Sequence, residues 1–332
     1  MSNDLTDRAA LLVQYPELVD PMNHPRFTGI PSFFRAPVAS NAANVDIALI
    51  GVPFDGGVTN RSGARLGPRD VRVQSTMMRC HNQATGAAPF EIARVADLGD
   101  AWPVNPFELT AAHGEITAFF DRVISSGANT LAVGGDHSIS LPILRAVARS
   151  GPLAFIQFDA HCDTGGNYLG SKYHHGSPFS TAVEEGLIDP KKSVQIGIRG
   201  GTIVRDLWKF SYEHGMRVVQ IDELMNRGIP AVMEEAKAIA GSTPTYVTFD
   251  IDVLDPAYAS GTGTPEVGGI TSWQGQQLVR ALSGLNVIGA DLVEIAPSFD
   301  PTGNTGLVGA AILFELLCIL ADARKARNGA GR

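Results

Sequence analysis

The chain has 332 residues, 44% of them hydrophobic, and 26 basic against 34 acidic side chains give a formal charge of −8. That is ample apolar material for a large core, and no basic stripe with interleaved aromatics appears, so nucleic acid is not an expected partner. Three scattered cysteines, Cys80, Cys162 and Cys318, exclude a disulfide framework or a paired zinc knuckle and fit a reducing, cytoplasmic setting.

In chain order, residues 1–44 are rich in Pro and Asn and read as an N-terminal arm that wraps the surface or a neighbouring subunit. No basic segment followed by an apolar stretch opens the chain, so no secretory leader is expected. Apolar runs of strand length follow at 45–52, 94–99, 130–135, 153–159, 194–199, 217–222, 245–252 and 287–294, eight in all. Most are continuous rather than alternating, the pattern of strands covered on both faces. Helical stretches lie between them at 106–125, 139–148, 222–240, 271–282 and 304–325. The expectation is a three-layer α/β fold: one mainly parallel eight-stranded sheet, helices on both faces, a single domain over 45–325 and a flexible tail at 326–332. The most apolar run, 307–321, contains Glu315 and is shorter than the roughly 20 residues of a membrane span, so it reads as a buried helix and no membrane partner is expected.

Three strings sit at the ends of these runs: GGDH ending at His137, DAHCD from Asp159 to Asp163, and DID from Asp250 to Asp252. The carboxyl ends of strands are where α/β sheets place their functional crevice. In extended chain Asp250 and Asp252 project to one side, and His161 and Asp163 follow Asp159 at the same two-residue interval. Taken singly, each string has a bland use: aspartates cap helices and hold turns, glycines serve tight turns, and a lone histidine is usually structural. Taken together, four carboxylates and two imidazoles would repel and bury uncompensated charge unless cations sat among them. Mostly hard oxygen with two nitrogens suits a pair of divalent ions, Mn2+ first, with Ni2+, Co2+ or Zn2+ tolerated. Cys162, between ligands, is expected to turn away and pack.

The strings GGDHS, DAHCDT and FDIDVLDP, with GTGTPE at 261–266 and VEIAP around Glu294, resemble the ureohydrolase family of arginases and agmatinases. The resemblance runs from about residue 51 to the final helix and is strongest to the agmatinase and guanidino-acid hydrolase branch. It implies an arginase-like fold and a two-metal centre, one ion held by His137, Asp159, Asp163 and Asp250, the other by Asp159, His161, Asp250 and Asp252. It also implies that Glu294 grips a guanidinium and that His175, in HHGSPF, passes a proton to the leaving amine, with His174 the neighbouring competitor. The implied reaction releases urea and an amine from a small guanidino compound, in a homo-trimer or homo-hexamer. Agmatine is the family's default; guanidinopropionate, guanidinobutyrate, guanidine, N-alkylguanidines and biguanides stay open. The chemistry is apt, because a guanidinium is a poor electrophile and two metals lower the pKa of a shared water towards 7.

Specificity is less legible. The loop 164–174 is expected to overhang the site, with Tyr168 and Tyr173 shortening the pocket, or else simply packing. Asn60, Arg61, Arg65 and the stretch 77–90 are candidate rim elements. Ser180 and Thr181 stand where guanidino-acid enzymes of the family often carry basic residues, which argues against a carboxylate tail. Competing readings are a one-zinc deacetylase of the same overall fold and a non-catalytic subunit of a heteromer.

Overall fold

A computed structural model of the chain describes residues 25–78 and 80–330; His24 and the first 24 residues of the arm lie outside them. All eight runs form strands: β1 Ile47–Val52, β2 Val95–Asp100, β3 Asn129–Gly134, β4 Leu153–Phe158, β5 Ile188–Ile198, β6 Arg217–Gln220, β7 Thr245–Asp250 and β8 Val287–Val293. They make one sheet in the order β2-β1-β3-β8-β7-β4-β5-β6, with every pairing parallel.

The continuous apolar runs have the cause the pattern suggests, since neighbouring residues bury on opposite faces. Ile47 and Leu49 of β1 join a core with helices Gly67–Ser75, Ile229–Ala240, Ser272–Arg280 and Asn304–Ala330, while Ala48, Ile50 and Val52 join a second core with helices Leu109–Ser125, Ser140–Val147 and Pro178–Glu184. This is the three-layer arrangement. The run at 307–321 is core helix, and its single acid, Glu315, is satisfied by Arg280 and by Asn82 at 2.8 Å.

One expectation changes. The helix anticipated over 222–240 is two, Ile221–Arg227 and Ile229–Ala240, because Gly228 takes φ 79° and Pro230 starts the second. The last helix runs to Ala330, and Arg327 bonds Asn286 Oδ1 and Val287 O, each at 2.9 Å. In the described part of the arm, Phe33 and Phe34 are buried in the first core, and the Phe33 N–H donates to Asp97 Oδ2 at 3.0 Å.

The strand order positions the site. The four central neighbours β3, β8, β7 and β4 are in step, with Val133 opposite Leu292, Asp250 opposite Val293 and Phe158 opposite Phe249. Their carboxyl ends therefore deliver His137, Glu294, Asp250 and Asp159 to one stretch of the sheet's rim.

Candidate active site

His137 begins a 3-10 turn directly after β3. Asp136 caps that turn, accepting from Ser138 N at 2.8 Å and Gly57 N at 2.7 Å. Gly135, at φ 26°, is required there: a Cβ would lie 2.1 Å from Phe54 O. The Nδ1 of His137 sits 3.2 Å from Asp159 Oδ2, 2.9 Å from Asp163 Oδ2 and 3.2 Å from Asp250 Oδ2. It nevertheless makes no directed hydrogen bond to any of them. The buried nitrogen points between the three oxygens, as a ligand does when all four share a cation.

A second group adjoins the first. His161 Nδ1 is 3.1 Å from Asp252 Oδ2 and 3.6 Å from Asp159 Oδ1. Ligand atoms of His137, Asp159, Asp163 and Asp250 lie within 4.8 Å of one another, as do those of Asp159, His161 and Asp252. Asp159 belongs to both groups, whereas Asp250 belongs to the first alone. The donor set fits two hard divalent ions. A single-zinc centre would leave the second group without a purpose.

Local chain geometry aims these side chains. Asp159 Oδ1 accepts from His161 N at 2.7 Å and its Oδ2 from Gln157 Nε2 at 2.7 Å. Asp250 and Asp252 converge through a turn rather than an extended strand, because β7 ends at Asp250, whose Oδ1 accepts from Asp252 N at 2.8 Å. Asp163 and Glu294 adopt left-handed φ values of 50° and 64°, strain that persists where the surroundings fix a functional geometry. Electrostatics record the crowding. Burial raises Asp163 and Asp250 and takes Asp252 up to about 6, with the neighbouring acids adding to it. Burial opposes ionisation of Asp159 too, but the neighbouring imidazoles of His137 and His161 hold it below the usual range. Despite burial, the acids hold both imidazoles well above theirs.

Glu294 and His175 flank this cluster. Glu294 Oε1 accepts from His137 N at 2.8 Å and lies 2.9 Å from His175 Nδ1, while buried Oε2 has no partner. Burial pulls His175 down, but Glu294, with Asp163 and Asp136 beyond, more than reverses this and raises it to about 9. Its Nε2 is 2.7 Å from the Thr59 hydroxyl. His174 is engaged elsewhere: its Nε2 pairs with Gly166 O at 2.8 Å and its Nδ1 accepts from Gly176 N at 3.2 Å, pinning the loop.

A cavity of about 380 Å³ opens onto these groups, lined by Thr59, His161, Asp163, His175 and Asp250 and by Tyr168, Ile203, Val204, Leu207 and Trp208. Tyr168 therefore does line the pocket. Tyr173 does not: its ring packs 5.3 Å from His113 and its hydroxyl accepts from Arg145 at 3.4 Å, because the second core offers it apolar cover and a donor. Asn60 is also outside the pocket's lining. Its Nδ2 donates to Gly263 O at 3.1 Å, and Arg61 donates to Thr262 O and Gly263 O, so the pair straps down the GTGTPE loop against Glu294. Arg65 pairs with Asp55. The described residues of the stretch 77–90 pack by Asn82 on the last helix instead of rimming the pocket. Ser180 and Thr181 are buried, Ser180 donating to Gly165 O at 2.8 Å, so their lack of charge says nothing about a substrate tail. Cys162 is buried with Ile198 and Val218, and burial pushes its thiol up, which makes it inert packing. Thr59 and the segment 201–208 were not singled out from the sequence; neither carries a motif signal of its own.

Residues 45–318 match the model of the arginase family. The chain belongs to the arginase family. It is 51% identical over 309 residues to the guanidinopropionase of Pseudomonas aeruginosa, covering 93% of this chain and 97% of that one. It is 46% identical to the mitochondrial agmatinase of Gallus gallus, covering 89% and 87%. The proclavaminate amidino hydrolase structure from Streptomyces clavuligerus superposes with a TM-score of 0.87 at 38% identity, covering 90% and 99%. This arginase-family chain is accordingly a hydrolase of the ureohydrolase kind, with the family's fold and a buried His/Asp cluster able to hold metal.

Proposed function

We propose that this hydrolase holds two divalent ions on His137, Asp159, Asp163, Asp250, His161 and Asp252, and cleaves a guanidino C–N bond of a short guanidino compound to give urea and an amine. The observation that carries the reading is the His137 Nδ1 aimed between three carboxylates, one of them shared with a second ligand group. The hard donor set favours Mn2+, with Ni2+ the alternative. Bound there, such ions supply Lewis acidity that makes water a competent nucleophile near neutral pH.

The chain's own residues do the rest. The surplus of carboxylates draws in a cation. Glu294, its Oε1 already fixed by His137 N and His175, keeps Oε2 for the N–H groups of the guanidinium, a charge-assisted contact that orients the planar carbon. When the attacked carbon becomes tetrahedral, His175 delivers a proton to the departing nitrogen, which leaves as the amine. Raised to about 9 by Glu294 despite burial, His175 carries that proton at neutral pH and can give it to the departing nitrogen. Thr59, hydrogen-bonded to Nε2, holds the ring in place.

For the tail, Arg199 is no anchor, since its donors are engaged by carbonyls that include Asp252 O at 2.7 Å and Glu266 O at 2.8 Å. Among the described lining residues the Asn167 amide, the Tyr168 hydroxyl and the Trp208 indole N–H remain as side-chain donors, and each can donate to a carboxylate. We therefore place a short guanidino acid ahead of agmatine, in keeping with the name of the 51% identical relative. Urea release by the Mn2+- and Ni2+-loaded protein from 3-guanidinopropionate, 4-guanidinobutyrate, agmatine, guanidine and N-methylguanidine tests both levels. No urea from any would end the reading; agmatine preferred over the acids would reverse the tail assignment. A cytoplasmic homo-oligomer, trimer or hexamer, is part of the same proposal, supported by the few, scattered cysteines and by exposed Trp102, Val104 and Phe107.

A further inference from the structure

Three residues before Glu294 on β8 lies another carboxylate, fully buried and outside both ligand groups: Asp291. Three hydroxyls converge on it. Ser140 Oγ donates to Oδ2 at 2.6 Å, Tyr246 OH donates to Oδ2 at 2.7 Å, and Thr248 Oγ1 donates to Oδ1. Tyr246 and Thr248 reach it from the same face of β7, two residues apart, and Thr248 sits directly opposite Asp291 in the register. A carboxylate only accepts, so the Thr248 proton points at Asp291 and its oxygen lone pairs are free to face the other way. What they face is His137 Nε2, at 2.8 Å.

We infer that Asp291 is a positioning residue which, through Thr248, fixes the His137 proton on Nε2 and so presents Nδ1 as a bare lone pair to the metal point between Asp159, Asp163 and Asp250. This rests on the proposed two-ion site. Nothing about packing alone calls for the arrangement: β7, β8 and the helix Ser140–Val147 would be joined more cheaply by apolar side chains than by a buried acid that needs three donors. A ligating imidazole, by contrast, binds metal well only if its other nitrogen keeps the proton, and partners of that proton typically alter metal affinity about 10- to 100-fold.

The test is equilibrium binding of Mn2+ to metal-free protein by calorimetry, with thermal melting of the metal-free forms alongside. Thr248→Val removes the acceptor for Nε2–H at nearly constant volume, Thr248→Ser restores it, and Asp291→Asn trades the accept-only carboxylate that orients it for an amide that can also donate. Thr248→Val and Asp291→Asn are each expected to weaken one of two binding events about tenfold or more and leave the other within about twofold. Thr248→Ser is expected to stay within about threefold of wild type at both. The double variant is expected to be no weaker than either single one, since both cut the same chain. If Asp291→Asn fails to fold, the Val and Ser pair decides. Wild type binding two ions with Thr248→Val unchanged would overturn the assignment of Asp291 alone; wild type binding none would overturn the two-ion reading and this inference with it.

Discussion

His175 and Glu294 form one buried unit, Nδ1 to Oε1 at 2.9 Å, with the second Glu294 oxygen left over. The pairing joins the residue that orients the substrate to the residue that moves its proton. Replacing His175 with Ala is expected to lower kcat by about 10²- to 10⁴-fold, the usual range for a lost general acid, while both metals stay bound. Urea release and metal content measured on the same sample check this; unchanged turnover would move the proton transfer elsewhere.

Glu294→Gln keeps the hydrogen bond from His137 N but removes the charge facing the guanidinium. A buried charge-assisted contact is worth about 1.5 to 3 kcal/mol, so kcat/KM is expected to fall about 10- to 150-fold, shared between KM and kcat. Steady-state kinetics read it directly, and a loss below threefold would remove Glu294 from substrate binding.

Stability of the metal-free protein should fall as pH rises. Asp252, pushed up by burial and by Asp159, reaches about 6, above its unfolded value near 4. Its folded form binds a proton more tightly than the unfolded chain, so its contribution is full below about 4 and lost as pH climbs through about 6. His137 and His161, raised by the surrounding acids despite burial, act in the same direction at higher pH. Asp159, held low by the imidazoles, acts oppositely but only below about pH 4. Melting of the chelated protein from about pH 5 to 8 is expected to show a declining Tm, and the increment given by Mn2+ should grow over the same interval as protons cease to compete. A rising Tm for the metal-free form would contradict this.

Gly135→Ala should damage the fold and the site together. The added Cβ would meet Phe54 O at 2.1 Å and Val52 O at 2.6 Å, so the turn carrying Asp136 and His137 must shift. A loss of at least about 2 kcal/mol is expected in denaturant unfolding, with weakened metal binding. A variant as stable as wild type would show that the turn relaxes freely.

The parts visible in the sequence were those fixed by repeated local chemistry. Eight continuous apolar runs became eight strands because burial on both faces leaves no room for polar alternation. The six ligand candidates are readable because each lies at or just past the end of a strand, and the central β3-β8-β7-β4 order then brings them together. Helix Gly67–Ser75 is not legible, since it is largely polar and buries only Gly67, Pro68, Val71 and Ser75. Loop side chains were harder still. Tyr173 and Asn60 point where a distant partner needs them, Arg145 and His113 for the one and Gly263 O for the other, and no local pattern encodes that. Thr248 and Asp291 lie 43 positions apart and meet only through strand register.

The most direct test of the centre is anomalous diffraction from crystals grown with Mn2+. Two peaks are expected, one among His137, Asp159, Asp163 and Asp250 and one among Asp159, His161 and Asp252, with Asp159 reaching both. A single peak, or none at full Mn2+ exposure, would contradict the binuclear centre.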